Sequence, residues 1–485
     1  MEYKHISQNK TMLTDYYELT MSQAYFNQGL KDTIAYFDIF FRKVPDGGGY
    51  AIMAGLEQAI SYVENLHFTE EDLEFLRQTG DFSEDFLAYL RDMEFSCDIW
   101  AIPEGTPIFQ GEPILKVRGP VIQAQIIETM LLLTINHQSL IATKSSRIVS
   151  QAAGRPVMEF GARRAQGSDA SVLGARAAYI GGVASTSCTL AGEIFGIPLS
   201  GTMAHSFVQL YDSEFEAFKA YAESYPDNTV LLIDTYNVLE SGLPNAIRTA
   251  KEVLEPMGKR LKGVRIDSGD ITYLSQACRK VLDEAGLEDC NIVISNSLDE
   301  YIIREILIQG AKVDSFGVGE RLITSKSEPV FGGVYKLSAV EDEDGKIEPR
   351  MKISDSVVKI TNPGSKSLYR FIDNKTGKAV ADLITLADEE INPEHPYELF
   401  DPEATWKRQT VMDYTLVPLL KPIFQGGKLV YDLPSIEEIR AYSKEQMKTL
   451  WPSVTRLDNP HIYYVDLSQK LWDLKHQILR QPKKH

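Results

Sequence analysis

A histidine within a run of small residues is the first candidate for chemistry in this chain. His205 lies in the segment 201–206, Gly-Thr-Met-Ala-His-Ser, just after a short apolar stretch. The small neighbours leave room around the imidazole, which can act as a base or as a nucleophile toward a phosphoryl group. A histidine that only packs in the core is the common alternative, and this segment alone leaves both open.

A second candidate combines charges of both signs. The segment 264–270, Val-Arg-Ile-Asp-Ser-Gly-Asp, holds Arg265, Asp267 and Asp270 with a hydroxyl between them. A sugar phosphate needs donors for its phosphate and acceptors for its diol, and these side chains offer both. An ordinary turn rarely needs them all, so this segment favours ligand binding over a structural turn.

Two further loops could contact a planar anion. In the segment 160–164, Phe160 offers a ring face, while Arg163 and its neighbour offer guanidinium groups that match phosphate or carboxylate. Gly317 and Gly319 would let backbone N–H groups approach a phosphate closely. The structural alternatives are a surface arginine pair beside a core phenylalanine, and a tight glycine turn.

The elements that must position these residues are short apolar strands, each ending in a polar or glycine-rich loop and followed by helical sequence. They are the segments 157–161, 199–202, 231–235, 264–268, 293–297 and 316–319. Such repetition favours a parallel β/α barrel or incomplete barrel, whose chemistry lies in the loops after the strands.

The rest of the chain predicts additional domains. We expect an N-terminal α/β domain at 1–145, joined by strands from after the barrel, a central β/α barrel at 146–335, and a C-terminal segment at 336–485 that ends in helices. The N-terminal domain is predicted to include a helix capped by Thr14, and a long helix over 121–153 is predicted to link it to the next domain.

Composition excludes several classes of partner. The net charge of -18 argues against a general nucleic-acid or anionic-membrane surface. The start of the sequence has no secretory pattern, and the most apolar stretch is interrupted by polar residues, so we expect no membrane span. Four cysteines without metal-ligand spacing suit a reducing cytoplasm. The sequence contains no Walker A motif and no H-E-x-x-H motif.

Together these motifs resemble the nicotinate phosphoribosyltransferases along nearly the whole chain. The matching segments, in order, are 13–21, 160–167, 201–207, 264–270, 332–337 and 459–461. The resemblance implies a type II phosphoribosyltransferase fold and a homodimer with active sites near the subunit interface. It also implies that nicotinate and phosphoribosyl pyrophosphate form nicotinate mononucleotide and pyrophosphate in NAD salvage, with ATP hydrolysed alongside.

The same resemblance implies roles for individual residues. Tyr17, supplied by the same or the other subunit, and Phe160 would enclose the pyridine ring between them. Arg265 and Thr202 would hold the nicotinate carboxylate or a neighbouring phosphate.

For the phosphates and the ribose, the resemblance implies a second set of residues. Asp267 and Asp270 would orient the ring and the ribose hydroxyls, or contact Mg²⁺ that binds through the substrate phosphates. Arg163 and the 317–319 backbone would bind phosphates. His205 would accept the phosphoryl group of ATP.

The chain departs from the family pattern at two positions. Glu320 stands beside the glycine loop, where an acid would repel a phosphate. Cys188 stands where nicotinamide-using relatives carry an aspartate, which favours the acid substrate over the amide. The alternative functions are a nicotinamide- or quinolinate-using phosphoribosyltransferase and a non-catalytic barrel that binds nucleotides.

Overall fold

A computed structural model describes residues 9–356 and 359–480. From residue 9 to residue 151 the elements are α1 (Tyr16–Asn27), β1 (Ile34–Phe41), β2 (Ala51–Ile52), α2 (Leu56–Glu64), α3 (Glu70–Thr79), α4 (Glu84–Arg91), β3 (Asp98–Ala101), β4 (Pro107–Ile108), β5 (Leu115–Pro120), α5 (Val121–Ile126) and α6 (Glu128–Gln151).

The middle of the chain alternates strands and helices. Its elements are β6 (Val157–Glu159), α7 (Ser168–Ile180), β7 (Ser185–Thr186), α8 (Thr189–Phe195), α9 (His205–Gln209), α10 (Glu214–Ser224), β8 (Val230–Leu232), α11 (Leu243–Thr249), β9 (Gly263–Ile266), α12 (Ile271–Glu284), β10 (Asn291–Ile294), α13 (Glu300–Ile308), β11 (Ser315–Val318) and α14 (Glu320–Ile323).

The last third of the chain is rich in strands and ends in helices. Its elements are β12 (Gly333–Glu341), β13 (Ile347–Pro349), β14 (Lys366–Asp373), β15 (Ala379–Leu386), β16 (Tyr397–Phe400), β17 (Arg408–Val411), β18 (Tyr414–Pro418), β19 (Lys421–Gln425), β20 (Lys428–Leu429), α15 (Ile436–Thr449), α16 (Pro452–Thr455), β21 (Val465–Leu467) and α17 (Gln469–Arg480).

The described residues form two compact units. The first comprises the chain up to Leu140 and again from Val330 onward, and the second comprises Ile141–Pro329. The first unit contains a seven-stranded sheet in the order β13-β12-β1-β5-β3-β19-β20 and a four-stranded sheet in the order β18-β14-β15-β21. Strands from both ends of the sequence therefore complete its sheets.

A buried ion pair lies within the first unit. Arg370 of β14 donates from Nε and Nη2 to the two carboxylate oxygens of Asp382 at 2.8 and 2.6 Å, and the Tyr463 hydroxyl donates to Asp382 at 2.9 Å. The side chains of Arg370 and Asp382 are at most 1% exposed. A charged pair this deeply buried is tolerated because the opposite charges neutralise each other, although Nη1 of Arg370 has no hydrogen-bond partner among the described residues.

The second unit contains a six-stranded parallel sheet in the order β7-β6-β11-β10-β9-β8. Five of the six predicted strand segments are strands of this sheet, and their carboxyl ends lie at one edge. The prediction for 199–202 is wrong: Leu199 forms only an isolated bridge with Thr186. The edge position belongs instead to β7, which is too short and too polar to show an apolar strand pattern.

Two predicted element boundaries also need correction. Helix α1 follows Asp15 as its N-cap rather than Thr14, whose hydroxyl instead donates to the Glu18 carboxylate. The predicted helix over 121–153 is divided into α5 and α6 at Ile127. Among the helices of the described residues, we find none with the length and apolar content needed to cross a bilayer.

Candidate active site

An open cavity of about 670 Å³ lies at the carboxyl edge of the parallel sheet in the second unit. Loops at this edge carry the chemistry in parallel β/α folds. The structure brings most of the predicted site residues together there; those that line the cavity are Phe160, Arg163, Thr202, His205, Arg265, Asp267, Gly317 and Gly319.

Arg265, on β9, is held firmly in the cavity wall. Its Nε donates to the Ser295 hydroxyl at 2.7 Å, and its Nη1 donates to the Thr202 hydroxyl at 2.8 Å and to the Met203 carbonyl at 3.2 Å. Among the described residues, no hydrogen bond engages Nη2, which lies 3.8 Å from an Asp267 oxygen. A fixed guanidinium with one free edge is suited to grip a carboxylate or a phosphate.

The Phe160 ring lies directly against the backbone of β11. A Cβ atom added to Gly317 would lie 2.5 Å from two ring carbons of Phe160, so any side chain at position 317 would displace the ring. The Phe160 N–H donates to the Val318 carbonyl at 2.8 Å. The guanidinium carbon of Arg265 is 6.0 Å from the ring centroid. An aromatic face and a cation thus stand side by side, as recognition of an aromatic acid requires.

His205 is the first residue of α9, and its side chain is 41% exposed, which excludes a buried core histidine. Its Nδ1 lies 3.1 Å from the Thr235 hydroxyl, and its Nε2 lies 3.9 Å from an Asp267 carboxylate oxygen. When Nδ1 carries the proton and donates it to Thr235, the lone pair of Nε2 faces the cavity. The arrangement can therefore present a nucleophilic nitrogen.

Two hydrogen-bonded aspartates, Asp267 and Asp234, lie near the histidine. Asp267 accepts a hydrogen bond from the Ser295 hydroxyl at 2.8 Å, and its N–H donates to the Asp234 carboxylate at 3.0 Å. The Ser268 hydroxyl donates to the same Asp234 oxygen at 2.6 Å. The other oxygen of Asp234 is buried and has no hydrogen-bond partner among the described residues.

The acid at position 320 is paired with cations. One carboxylate oxygen of Glu320 accepts a hydrogen bond from Lys326 at 2.6 Å, and the other is 3.9 Å from Arg164. The bond from Lys326 lowers the pKa of Glu320. Because the carboxylate is balanced by these neighbours, it does not stand as an isolated negative charge beside the glycine loop. Arg163 is exposed on the same rim.

Two predicted site residues are not among those that line the cavity. Asp270 is the N-cap of α12, where its carboxylate accepts a hydrogen bond from the Tyr273 N–H at 3.0 Å. Tyr17 belongs to the first unit and lies on α1 with 45% of its surface exposed. Burial of its hydroxyl and the nearby Glu128 carboxylate raise the pKa of Tyr17.

Cys188, the departure noted at the start of α8, is buried. Its N–H donates to the Thr186 hydroxyl at 3.0 Å, and its Sγ lies 3.9 Å from the Ser171 hydroxyl. Its neighbour Ser187, rather than Cys188 itself, lines the cavity. A thiol here offers no carboxylate to accept an amide group.

Sequence reasoning missed three residues that organise the site. Ser295 joins Arg265 to Asp267, Thr235 contacts His205, and Asp234 holds the loop after β9. All three belong to the polar loops that follow β8 and β10. The strand-end pattern therefore contained the signal, but small hydroxyl residues at such positions look like ordinary turn residues.

Comparison with known proteins assigns the chain to a family. Three family models match it: the N-terminal domain of nicotinate phosphoribosyltransferase over 12–136, the nicotinate phosphoribosyltransferase family over 156–376, and the C-terminal domain of nicotinate phosphoribosyltransferase over 365–475. A nicotinate phosphoribosyltransferase of Bacillus subtilis is 43% identical over 485 residues, which cover 100% of this chain and 98% of the relative. The human nicotinate phosphoribosyltransferase is 33% identical, over 97% of this chain and 96% of its own length.

Solved structures agree with the sequence matches. The crystal structure of human nicotinic acid phosphoribosyltransferase superimposes with a TM-score of 0.86 at 32% identity, covering 96% of this chain and 99% of the human one. A nicotinate-nucleotide pyrophosphorylase from Pyrococcus furiosus superimposes with a TM-score of 0.71 at 25% identity, covering 93% of this chain and 99% of the Pyrococcus one. The predicted fold, that of the type II phosphoribosyltransferases, is confirmed. The chain belongs to the nicotinate phosphoribosyltransferase family.

Proposed function

We propose that this enzyme transfers the phosphoribosyl group of phosphoribosyl pyrophosphate to nicotinate, releasing nicotinate mononucleotide and pyrophosphate in NAD salvage. ATP is hydrolysed alongside to ADP and phosphate, through a phosphoryl group carried on His205. The first part rests on family membership, and the second on the geometry around the histidine. We also infer a cytoplasmic location, which rests on the sequence alone.

The observation that carries the proposal is the free edge of Arg265 beside the Phe160 ring. A pyridine ring stacked on Phe160 brings its carboxylate to Nη2, which can donate both of its N–H groups. Thr202 contributes by fixing Nη1. A neutral carboxamide can accept a hydrogen bond from the guanidinium but brings no negative charge to pair with it, so this pairing favours nicotinate over nicotinamide.

His205 is suited to accept a phosphoryl group from ATP. The bond forms between its Nε2 and the γ-phosphorus, ADP leaves, and Thr235 keeps the proton on Nδ1 by accepting it as a hydrogen bond. The resulting dianion stands beside Asp267 and changes the local charge, which can favour a closed, substrate-bound state. This step couples ATP energy to product formation.

The remaining residues bind phosphates and ribose in the proposed reaction. Arg163 and the backbone of residues 317–319 bind phosphate oxygens, a role supported by the position of Arg163, Gly317 and Gly319 in the cavity lining. Asp267 orients the ribose hydroxyls from the cavity wall. Asp270 contributes indirectly, by capping the helix that follows the 264–270 loop.

Magnesium fits this site only with the help of substrate. Among residues 9–356 and 359–480, no three His, Cys, Asp or Glu side chains are grouped to hold a metal ion. Mg²⁺ commonly takes one or two carboxylates and completes its shell with water and phosphates. Asp267, with Asp234 beside it, matches that pattern. When bound, the ion neutralises charge on the departing pyrophosphate.

The test is to incubate the protein with nicotinate, phosphoribosyl pyrophosphate, Mg²⁺ and γ-labelled ATP. We expect nicotinate mononucleotide, and acid-labile label on the protein. The His205→Ala variant should form product without consuming ATP and should carry no label. Thr235→Val should lower labelling while nucleotide formation without ATP is unchanged. If the wild-type protein forms nicotinate mononucleotide but never carries label, the phosphohistidine is wrong while the transfer reaction stands.

The proposal includes a homodimer in which Tyr17 acts on the pyridine ring from the partner subunit. Tyr17→Ala and His205→Ala proteins should each show impaired ATP-coupled synthesis. After the two are unfolded together and refolded, each mixed dimer has one intact site and so about half of the activity of a wild-type dimer. Random pairing makes about half of the dimers mixed, so the preparation should regain roughly a quarter of wild-type activity, a pattern that a wholly intrasubunit site cannot produce. Activity that stays at the level of the separate variants would refute the shared site.

A further inference from the structure

A second, larger cavity lies wholly within the first unit. Its volume is about 850 Å³, within the range of cofactor and metabolite sites. It opens between β1 and the C-terminal helix α17, and none of the residues placed above in the active site lines it. The residues that line it and bear on the argument are Asp38, Phe40, Arg42, Trp472 and Lys475.

One face of β1 contributes two buried polar atoms to the cavity wall, a hydrogen-bond acceptor and a hydrogen-bond donor. Asp38, Phe40 and Arg42 alternate along the strand and its end, so they share a face. Oδ1 of Asp38, a residue only 4% exposed, and Nε of Arg42 are both buried and lack hydrogen-bond partners among the described residues. Buried polar atoms without partners are costly, so they point to a ligand that supplies both a donor and an acceptor.

The opposite wall presents a cation whose partner is neutral. Lys475 of α17 donates from Nζ to the Asn362 side-chain oxygen at 2.8 Å. Burial lowers the pKa of Lys475, with Glu403 opposing that shift and Lys366 adding to it. Because an amide oxygen does not neutralise the ammonium, an anion entering the cavity would gain from it.

The charges and the aromatic rings that line the cavity indicate what kind of ligand fits it. The lining holds three cations, Arg42, Lys366 and Lys475, against two carboxylates, in a chain whose net charge is -18. Lys366 is already committed to Asp38 at 2.8 Å. Trp472 is fixed by donating its indole N–H to the Pro402 carbonyl at 3.0 Å and by stacking on a histidine ring at 3.7 Å.

We propose that this cavity binds a nucleoside monophosphate at a site separate from the active site. The phosphate takes the donors of Arg42 and Lys475, the base lies on the apolar surface of Phe40 and Trp472, and a ribose hydroxyl or base amide donates to Asp38. Residues 38 and 42 are about 13 Å apart along an extended strand, a span that a base, a sugar and a phosphate in series can cover.

The test measures binding to the full-length protein by equilibrium dialysis, so that it does not depend on turnover. Labelled AMP and labelled nicotinate mononucleotide distinguish a purine from a pyridine ligand. Arg265→Ala weakens the active site and should leave binding of the preferred nucleotide in place. Lys475→Met should weaken it by at least about tenfold, the size of one lost charge-assisted hydrogen bond. Arg42→Gln should weaken nucleotide binding by a similar factor. This second variant shows that the effect does not come from misfolding of the Lys475→Met protein alone.

The matched control is Lys470→Met, a change on the same helix at an exposed lysine that pairs with Asp388. It should bind as the wild type does, and nucleosides without phosphate should bind far more weakly. The proposal is overturned if neither nucleotide binds to the Arg265→Ala protein, or if Lys475→Met and Arg42→Gln both bind as tightly as Lys470→Met. Failure of the transfer assay leaves this measurement unaffected, so the two proposals can fail separately.

Discussion

Replacing Arg265 with lysine tests the site most directly, because it keeps the positive charge and removes the planar guanidinium with its several N–H donors. In the structure, Nε and Nη1 of Arg265 donate to Ser295, Thr202 and Met203, and Nη2 makes no hydrogen bond among the described residues. A lysine ammonium cannot hold these partners and still present a flat pair of donors. The substitution should therefore loosen the wall and lose the contact that Nη2 would make with the substrate.

The size of the effect follows from the lost contact. Hydrogen bonds to charged groups contribute about 1.5–3 kcal/mol each, and the retained ammonium should recover part of that. A net loss of about 2–3 kcal/mol corresponds to a roughly 30- to 150-fold fall in kcat/KM for nicotinate. Nicotinamide, which has no carboxylate, should lose much less, so the preference for the acid should narrow.

Steady-state kinetics with each substrate varied in turn measure this change. A rise in the KM for nicotinate supports contact with the carboxylate, whereas a rise confined to phosphoribosyl pyrophosphate assigns Arg265 to a phosphate. Arg260→Lys, an exposed site paired with Asp289, is the control and should leave the kinetics unchanged. Equal losses for nicotinate and nicotinamide, with thermal stability unchanged, would refute recognition of the carboxylate by Arg265.

Three further changes probe packing and charge. Gly317→Ala should displace the Phe160 ring, lower kcat/KM for nicotinate at least about tenfold, and lower the free energy of unfolding by about 1–3 kcal/mol. Asp382→Asn leaves the buried Arg370 without its counter-charge and should lower the free energy of unfolding by about 3–5 kcal/mol in urea titrations. Burial, aided by a nearby carboxylate, raises the pKa of Asp466 to about 7, above the ordinary value of about 3.9. The folded state thus retains a proton that the unfolded state releases, and this contribution to stability is present at low pH and is lost as pH rises through about 7. Asp466→Asn should reduce the fall in unfolding free energy between pH 5 and pH 8.

The strand ends were the most predictable part of the fold. Segments such as 264–268 and 316–319 combine an apolar core stretch with a polar or glycine-rich end, and the parallel sheet has strands at both. By contrast β7 is only two residues long and both are polar, so it shows no apolar pattern, although both side chains are buried. Backbone pairing with β6 holds it, together with the hydrogen bond that the Thr186 hydroxyl donates to Glu159. Local composition therefore located the buried strands and missed the short edge strand.

Residue types predicted which groups line the cavity better than they predicted which groups support them. Arg265 on β9 and His205 at the start of α9 are residue types suited to anion binding and phosphoryl transfer, so their positions among small or polar residues were informative. Ser295 and Thr235 are common turn residues, and their value depends on contacts across 30 positions of sequence in each case. Such long-range hydrogen bonds are set by the strand register, which no single segment encodes.

Glu320 illustrates why residue type alone misjudges electrostatics. An acid beside a phosphate-binding loop predicts repulsion, and the sequence offers no reason to discount it. In the structure, Lys326 reaches back to the carboxylate across a turn in which Ser325 adopts a φ of 43°, while Arg164 approaches from the loop after β6. Because the acid is balanced by these two cations, its removal should free positive charge at the cavity rim. Glu320→Gln should therefore tighten binding of phosphoribosyl pyrophosphate by a few fold at low salt, an effect that salt should screen. A weaker affinity in the variant would mean that Glu320 instead holds the arginine loop in place.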